Sequence, residues 1–305
     1  MLPSKTMVIF NPVANRGHGG EIEDCLKNCL PKPDEIIWER TNKAGDAQRI
    51  AVEAVQRGFK RIIAIGGDGT AAEIVNGMMG YSKSKRPILG IVPIGSGNDF
   101  AAGLGIPSEP KDAMYQALHG ISQPVDIGVL TTNYSSIHYW VNAVGIGFDA
   151  VVNIHSRNML VFSGFGLYLA SALKTILQNH IPYHVIGKID EQTWNKKFLM
   201  LVISNGKREG GGFKIAPHAQ VNDGYLNFAG VREISRLRML ITLLYFLQGK
   251  QEQLHYVESG LLRKMEITTD RPMQIHADGE VIAGFDSDIT SLEIQVLPSV
   301  IEVVY

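Results

Sequence analysis

The chain has 305 residues, 45% of them hydrophobic and 19% charged, which is enough for two well-packed domains. A formal net charge of −1 argues against general nucleic-acid binding, which usually needs a basic surface. Two cysteines, Cys25 and Cys29, form neither a metal quartet nor a disulfide framework, and a strand-like run from Met7 leaves no room for a signal peptide. A cytoplasmic location is therefore expected.

The first half of the chain alternates between strand-like and helical patterns. We predict strands at residues 7–10, 36–39, 62–65 and 88–92, and helices at residues 21–30, 46–57 and 70–77. This alternation is typical of a parallel, doubly wound sheet with helices on its faces. Ligands of such sheets bind beyond the carboxyl ends of the strands. Three glycine-bearing loops are expected to meet there, at residues 15–20, 66–70 and 95–99.

The central loop reads Gly66-Gly67-Asp68-Gly69-Thr70. Its glycines let the backbone lie close to a ligand, because no Cβ stands in the way. Amides at the start of the following helix suit a phosphate. Asp68 would repel a bare phosphate, which suggests a metal ion or a second cation between them. On this pattern alone, an acidic turn without a ligand is the alternative.

The pattern changes after Pro124, where strand-like runs dominate: residues 125–130, 138–144, 183–189, 197–204, 224–230, 265–268, 273–276 and 292–297. We therefore predict a first domain at residues 1–124 and a mainly β domain at residues 125–299. A last strand at about 300–305 is a candidate to return to the first domain.

Two apolar segments of the second half raise the question of membrane contact. Residues 159–173 form a run of about fifteen residues, shorter than the roughly twenty needed to span a bilayer. Residues 236–248 begin with two arginines and continue as an apolar helix. That segment suits either packing in the core or an interfacial membrane contact.

Two common signatures are missing from the sequence, the P-loop and the serine-hydrolase elbow G-x-S-x-G. Residues 145–150 match the loose dinucleotide pattern G-x-G-x-x-A, but they lie outside a clear βαβ unit. We interpret this match as chance or as a tight turn.

An ordered set of short motifs runs along nearly the whole chain, at residues 11–12, 66–73, 76–77, 93–101, 145–149, 204–206, 210–212, 216–217, 222–224 and 278–280. In this order the chain resembles the diacylglycerol kinase family of lipid kinases, which also includes sphingosine kinases. The central Gly-Gly-Asp-Gly-Thr element is shared with NAD kinases and phosphofructokinases, whereas the ordered set is highly specific.

The resemblance implies a two-domain NAD-kinase/diacylglycerol-kinase-like fold, with an N-terminal doubly wound α/β domain and a C-terminal β-sandwich domain. It also implies that ATP binds between the two domains. Ser96 stands where close relatives carry a threonine, so the hydroxyl is kept. The residues implied for the nucleotide are Asn11, Thr41, Gly66, Gly67, Asp68, Gly69, Thr70, Ala71, Ala72, Glu73, Gly95, Ser96, Asn98 and Asp99.

Three residues receive a catalytic role from the resemblance. Glu280 aligns with the general base, which would accept the proton of a lipid hydroxyl. Asp68 would act in the network of phosphate and Mg²⁺, and Arg16 stands where relatives carry a basic residue. Asp99 either supports the site or caps a helix. His276 is an alternative base, although its alternating position is more typical of a half-buried sheet residue.

The resemblance further implies a structural Mg²⁺ loop in the second domain. Asp223 would bind the ion through its side chain, and Gln220 and Tyr225 through their backbone carbonyls, in keeping with the oxygen ligands that Mg²⁺ prefers. A plain Asn-Asp-Gly turn would have the same local sequence.

The sequence hypothesis is an ATP- and Mg²⁺-dependent lipid kinase that phosphorylates diacylglycerol or a related membrane lipid. The alternatives are an NAD-kinase-like small-molecule kinase and a non-catalytic nucleotide- or lipid-binding regulator. We expect a lipid substrate, peripheral contact with a membrane surface and no nucleic-acid partner. The oligomeric state is open, with a homodimer among the alternatives.

Overall fold

The computed structural model describes residues 5–28, 36–133, 136–157, 159 and 164–305, without the side chains of Asn15, Arg16, His18 and Glu21. The chain divides into two compact units. The first unit comprises residues 1–127 and 299–305, and the second comprises residues 128–298.

The first unit is a parallel sheet with helices. Its strands lie in the order β15-β4-β3-β1-β2. Strand β3 is buried along its whole length, as expected for a parallel strand covered on both faces. The elements are β1 (Thr6–Phe10), α1 (Glu23–Lys27), β2 (Ile36–Arg40), α2 (Asp46–Gln56), β3 (Arg61–Gly66), α3 (Asp68–Met79), β4 (Ile88–Pro93), α4 (Asp99–Gly103) and α5 (Pro110–His119), with 3-10 helices at Asn15–Ile22 and Lys83–Lys85.

Parallel pairing brings the carboxyl ends of β1, β2, β3 and β4 to one edge of the sheet. Phe10 lies opposite Arg40 and Ile65, and Gly66 lies opposite Pro93. The segments that follow these strands therefore start from the same edge. This geometry confirms the parallel α/β architecture predicted from the alternating pattern.

Two details of the first unit differ from the sequence prediction. The loop predicted at residues 15–20 folds as the 3-10 helix Asn15–Ile22, and the helix predicted at 21–30 is limited to α1, with residues 29–30 outside the described part. Helix α3 continues through Gly77 to Met79. A Cβ at Gly77 would lie 2.5 Å from the carbonyl oxygen of Gln48, so this glycine permits close packing of α2 on α3 rather than ending the helix.

The second unit is mainly antiparallel β structure. Its strands follow the order β14-β13-β7-β9-β8-β12-β15, while β10 pairs with β9 and β11, and β5 with β6. The elements are β5 (Ser122–Thr132), β6 (Ile137–Trp140), β7 (Ala143–Gly147), α6 (Phe148–Arg157), α7 (Gly164–Gln178), β8 (Tyr183–Ile189), β9 (Gln192–Ser204), β10 (Leu226–Arg232), α8 (Arg236–Gln248), β11 (Val257–Leu262), β12 (Lys264–Thr269), β13 (Ile275–Ala277), β14 (Glu280–Ala283) and β15 (Ser291–Val304), with a 3-10 helix at Gln251–Gln253.

Strand β9 shows how the second unit builds two cores. Leu201 and Ile203 belong to one buried cluster, while Met200 and Val202 belong to another that includes residues of α7 and α8. Successive side chains of a strand point to opposite faces. The sheet is therefore buried on both faces at β9.

Several strand boundaries of the second unit differ from the prediction. The run at 138–144 is two strands, β6 and β7, and β11 and β14 were not predicted. The strands predicted at 292–297 and about 300–305 are parts of the single strand β15, which ends at Val304, although Ser299 has a φ of 52°. The end of β15 belongs to the first unit, where Val303 lies opposite Leu89.

Neither apolar helix of the second unit has the dimensions of a membrane span. Helix α7 has 15 residues and α8 has 13, compared with the roughly twenty that a bilayer requires. Across all described residues, no helix is both long enough and apolar enough to cross a membrane.

Candidate functional site

A cavity of about 350 Å³ lies at the carboxyl edge of the sheet in the first unit. The predicted nucleotide residues that line it are Asn11, Thr41, Gly67, Gly69, Thr70, Glu73, Gly95 and Ser96, together with Val13, Ala14, Lys43, Ala44 and Ala47. The structure thus brings together predicted residues from four separate segments of the chain.

Two glycine loops touch each other at this cavity. A Cβ at Gly95 would lie 2.5 Å from the Cα of Gly67, and a Cβ at Gly66 would lie 2.3 Å from Oγ1 of Thr70. Distances below 3 Å are incompatible with an unshifted structure. Position 95 therefore requires glycine because the two loops approach each other closely there. Position 66 requires glycine because the side chain of Thr70 packs against it.

Polar side chains hold the loops around the cavity in place. Asn98, at a φ of 54°, donates to the carbonyl of Gly95 (2.8 Å) and accepts from the Gly95 N–H (2.9 Å). Glu73 accepts from the N–H groups of Gly45 (3.0 Å) and Ala47 (3.1 Å) with its two oxygens. The side chain of Asn98 therefore holds the backbone at Gly95, and the side chain of Glu73 holds the backbone at Gly45 and Ala47. Glu73 also lines the cavity.

Asn11 joins the first strand to the central loop, because its Nδ2 donates to Oγ1 of Thr70 at 3.0 Å. The remaining predicted nucleotide residues do not line this cavity. Gly66, Asp68, Ala71 and Asn98 line a separate space of about 10 Å³. Ala72 and Asp99 are buried.

Asp68 connects the central loop to the next glycine loop. Its Oδ2 accepts from the N–H of Asp99 (3.1 Å) and its Oδ1 from the N–H of Phe100 (3.0 Å). Both amides belong to the first turn of α4. The carboxylate thus caps this helix, a role that the sequence reasoning did not foresee beside the expected role in a phosphate–Mg²⁺ network.

Two basic residues are candidates for contact with an anion in the first unit. Arg16 lies in the 3-10 helix Asn15–Ile22, but its side chain is outside the described part of the chain, so its role stays a prediction. Lys43 lines the cavity and was missed by the sequence reasoning. The sequence feature that could have identified Lys43 is its place in the loop after β2, because this loop starts from the same edge of the sheet as the glycine loops.

The second unit carries Glu280 on the first position of β14, where the side chain is exposed. The preceding turn contains Asp278 and Gly279, with φ values of 48° and 80°. Asp278 accepts three backbone N–H groups, from Val141 (2.7 Å), Asn142 (2.8 Å) and Ala143 (3.0 Å). The two acids of the 278–280 motif therefore have different environments: the carboxylate of Asp278 holds the turn in place, whereas the side chain of Glu280 is exposed to solvent.

His276 is only 1% exposed and lies between two carboxylates. Its Nε2 is 2.7 Å from Oδ2 of Asp149 and 3.1 Å from Oε1 of Glu209. Burial lowers the pKa of His276, but the negative charges of Glu209 and Asp149 outweigh it and raise that pKa to about 9. The expectation of a half-buried residue was wrong, and a buried, ion-paired imidazole is poorly placed to serve as the alternative base.

The ion pair also explains the glycine motif at residues 145–150. A Cβ at Gly145 would lie 1.9 Å from Oδ2 of Asp149 and 2.3 Å from Nε2 of His276. Gly147 has a φ of 75° at the join of β7 and α6. The motif is therefore a tight strand-to-helix turn that makes room for the Asp149–His276 pair, in agreement with the turn interpretation.

The free energy of unfolding is expected to fall as the pH rises from about 6.5 to about 9. Folding raises the pKa of His276, so the protonated imidazole stabilises the folded state fully at a pH below its unfolded pKa of 6.5. This stabilisation is lost as the pH rises to about 9, the pKa in the folded state. Urea unfolding across this range should show the loss, and His276→Gln should flatten it, whereas exposed His218→Gln should not. An equal pH dependence in wild type and His276→Gln would contradict the assignment.

The predicted magnesium loop is a turn closed by Asp223, whose Oδ1 accepts from the N–H of Tyr225 at 3.0 Å. Gln220 and Asp223 are exposed. The other oxygen of Asp223, Oδ2, has no hydrogen-bond donor among the described residues. The donor set predicted for this loop, one carboxylate and two backbone carbonyls, consists of oxygen atoms of the kind that Mg²⁺ prefers, so the residue types fit this ion.

A narrow apolar cavity of about 40 Å³ lies in the second unit. Its lining comes from α6, α7, α8, β9 and the segment 209–215, and it includes the polar residues Asp149, Glu209 and His276. The lining residues are Phe148, Asp149, Val152, Asn153, Tyr168, Ala172, Met200, Glu209, Gly210, Phe213, Ile215, Leu243, Phe246 and His276. Most of this wall is apolar and suits hydrocarbon, and a few polar residues belong to it as well.

Comparisons with known proteins match both halves of the chain. The family model of the diacylglycerol kinase catalytic domain matches residues 5–130. The model of the YegS C-terminal NAD kinase beta sandwich-like domain matches residues 142–305. The two-domain fold predicted from the sequence is thereby confirmed.

Individual relatives agree with this result. A "Probable lipid kinase YegS-like" of Chromohalobacter salexigens is 36% identical over 80% of this chain and 76% of its own length. A protein of the same name from Serratia proteamaculans is 30% identical, over 98% and 93%. The crystal structure of "a putative diacylglycerol kinase from Bacillus anthracis str. Sterne" superposes with a TM-score of 0.79 at 25% identity, covering 99% of this chain and 95% of that one.

Proposed function

Because the chain belongs to the diacylglycerol kinase family of lipid kinases, we propose that it transfers the γ-phosphate of ATP to the hydroxyl of a membrane lipid. Kinase activity comes with the family, whereas ATP, Mg²⁺ and the acceptor are parts of the proposal. Diacylglycerol or a related lipid alcohol is the proposed acceptor. The enzyme is proposed to work in the cytoplasm, in peripheral contact with a membrane.

The observation that carries the proposal is the cavity at the start of α3. The first N–H groups of a helix have no intrahelical partner, and the macrodipole favours negative charge beside them. The residues that line the cavity around this helix start include the glycines Gly67, Gly69 and Gly95, the hydroxyl-bearing residues Thr41, Thr70 and Ser96, and Lys43 with its ammonium group. Backbone amides, hydroxyls and one cation are the groups that bind a nucleotide phosphate chain.

The proposed reaction needs one base and charge neutralisation. As the lipid oxygen forms its bond to the γ-phosphorus, the bond from that phosphorus to the bridging oxygen of ADP breaks, and the hydroxyl proton goes to Glu280. Mg²⁺, when bound, would neutralise phosphate charge in this transfer. Asp68 is the proposed partner of that ion in the first unit, and Gln220, Asp223 and Tyr225 are proposed to hold a structural Mg²⁺.

The lipid character of the acceptor is supported by the apolar cavity of the second unit. Nine of its lining residues are apolar or aromatic: Phe148, Val152, Tyr168, Ala172, Met200, Phe213, Ile215, Leu243 and Phe246. A space of about 40 Å³ has room for a short stretch of hydrocarbon, and a polar group buried against this wall would be left without partners.

One experiment tests the proposal directly. The full chain is incubated with labelled ATP, Mg²⁺ and total membrane lipid, and the labelled product is identified; a parallel reaction contains NAD in place of lipid. A labelled phospholipid that forms only with Mg²⁺ supports the proposal. Labelled NADP would favour the small-molecule kinase, and binding of ATP without turnover on any lipid would favour a regulator.

Gly95→Ala is expected to weaken ATP binding by at least about tenfold, equivalent to about 1.4 kcal/mol. The new Cβ would lie 2.5 Å from Cα of Gly67 and 2.9 Å from Oδ1 of Asn98, so the two loops must separate. Gly80→Ala is the control, since this glycine has a φ of −66° and a Cβ added there would meet no atom within 4 Å. Calorimetric titration with ATP checks the difference, and equal affinities of both variants would refute the role of the loop contact.

A further inference from the structure

We propose that the outer face of helices α7 and α8 docks onto an anionic lipid bilayer. Four aliphatic side chains of α8 are exposed to solvent, with exposures from 38% to 69%. They are Leu237, Leu240, Ile241 and Leu244, and their spacing of i, i+3, i+4 and i+7 places them on one face.

The apolar outer face of α8 is unusual because the inner face is apolar as well. Met239, Leu243 and Phe246 are buried in the core of the second unit. A helix on the surface of a globular protein normally shows a polar face opposite its buried one. The second apolar face of α8 thus has no role in packing the core, which suggests that it meets an apolar medium outside the protein.

Helix α7 extends the same exposed surface. Leu173 and Leu177 are 42% and 71% exposed and lie one turn apart. The end of α7 is joined to the start of α8, because Nε of Arg236 donates to the carbonyl of Ile176 at 2.9 Å. The neighbours of these two bonded residues, Leu177 and Leu237, are the most exposed leucines of their helices.

The charges on the two helices indicate which kind of surface binds to this exposed face. Together α7 and α8 contain three basic residues, Lys174, Arg236 and Arg238, and no aspartate or glutamate. Basic side chains beside an apolar helical face are typical of interfacial helices, in which the aliphatic side chains enter the acyl region and the cations reach phosphate groups. An anionic phospholipid surface complements this arrangement.

The inner faces of the same helices line the apolar cavity of the second unit, through Tyr168 and Ala172 of α7 and Leu243 and Phe246 of α8. A bilayer on the outer face would therefore lie one helix layer away from that cavity. This places the docking face beside the wall proposed to meet the lipid acceptor, and in this respect the inference rests on the proposed function.

The test is flotation of the full chain with vesicles made of equal amounts of phosphatidylcholine and phosphatidylglycerol, without ATP. Leu240→Gln with Leu244→Gln should weaken vesicle binding at least about tenfold, because two aliphatic side chains no longer enter the acyl region. The control is Ile186→Gln with Leu261→Gln, which changes two similarly exposed side chains on strands β8 and β11 and should bind like wild type. Lys174→Gln with Arg238→Gln should weaken binding to these vesicles and leave the weak binding to pure phosphatidylcholine unchanged.

Two results with Leu240→Gln and Leu244→Gln combined, the leucine variant, would overturn the docking surface. One is unchanged vesicle binding of Leu240→Gln with Leu244→Gln. The other is a wild-type dimer that becomes a monomer in this variant while neither protein binds vesicles, which would make the face an interface between two copies of the chain.

Activity on lipid dispersed in detergent separates this inference from the proposed function. If the docking face is correct, the leucine variant phosphorylates dispersed lipid like wild type but fails on vesicles. Vesicle binding without any phosphorylated lipid would refute the proposed function alone, and phosphorylation of dispersed lipid without vesicle binding would refute the docking face alone.

Discussion

Glu280→Gln is expected to lower kcat for lipid phosphorylation by about 10²–10⁴-fold, the contribution typical of general base catalysis. Glutamine has the shape of glutamate but accepts a proton poorly, so the attacking hydroxyl keeps its proton longer along the reaction path. The KM for ATP should change little, because the nucleotide is proposed to bind to the glycine loops of the first unit. Steady-state kinetics with dispersed lipid measures both constants.

The fold should tolerate this change. The turn that carries Glu280 is anchored by the three backbone bonds of Asp278, and Glu280 itself pairs through its backbone opposite Ala277. Glu191→Gln is a matched control, since Glu191 is also exposed and follows an aspartate with a φ of 48° in the β8–β9 turn. We expect unchanged thermal unfolding for both variants. Full activity of Glu280→Gln would remove this residue from the mechanism.

The sequence predicted best those features of the fold that depend on short segments of the chain. A run of β-branched residues followed by Gly66-Gly67-Asp68-Gly69-Thr70 predicted β3, the turn and the start of α3, because each step follows from local preferences. The expected meeting of the glycine loops also held for Gly67 and Gly95, since parallel strands end at one edge. Local pattern and topology together were sufficient for this part of the site.

Contacts between distant segments could not be predicted in the same way. The strand pattern around His276 indicates a half-buried residue, and only the fold places it against Asp149 and Glu209. Asp278 and Glu280 look alike as an acidic pair in the sequence, whereas three amides from a remote loop distinguish them in the structure. Glycine commonly ends helices, which predicts a helix end at Gly77, but the reason for this glycine is the neighbouring helix α2.

Asp68→Asn is expected to raise the Mg²⁺ concentration for half-maximal activity at least about tenfold, because removing one negative charge near the ion weakens its attraction by about 1.4 kcal/mol or more. The variant keeps one oxygen for the amide of Phe100 but turns an NH₂ group, a donor, toward the amide of Asp99. It should therefore also lose about 1–3 kcal/mol of the free energy of unfolding.

The two effects separate the two roles of Asp68. Its role as a helix cap is visible in the bonds to α4, while its role at Mg²⁺ is proposed. Asp68→Ala removes both and should lose stability and activity together. Asp112→Asn is the control, because Asp112 is an exposed carboxylate in the first turn of α5 and is expected to leave the Mg²⁺ dependence unchanged. If Asp68→Asn lowers stability but titrates with Mg²⁺ like wild type, the carboxylate acts only by holding α4, and the cation that offsets the phosphate charge must be held by other residues.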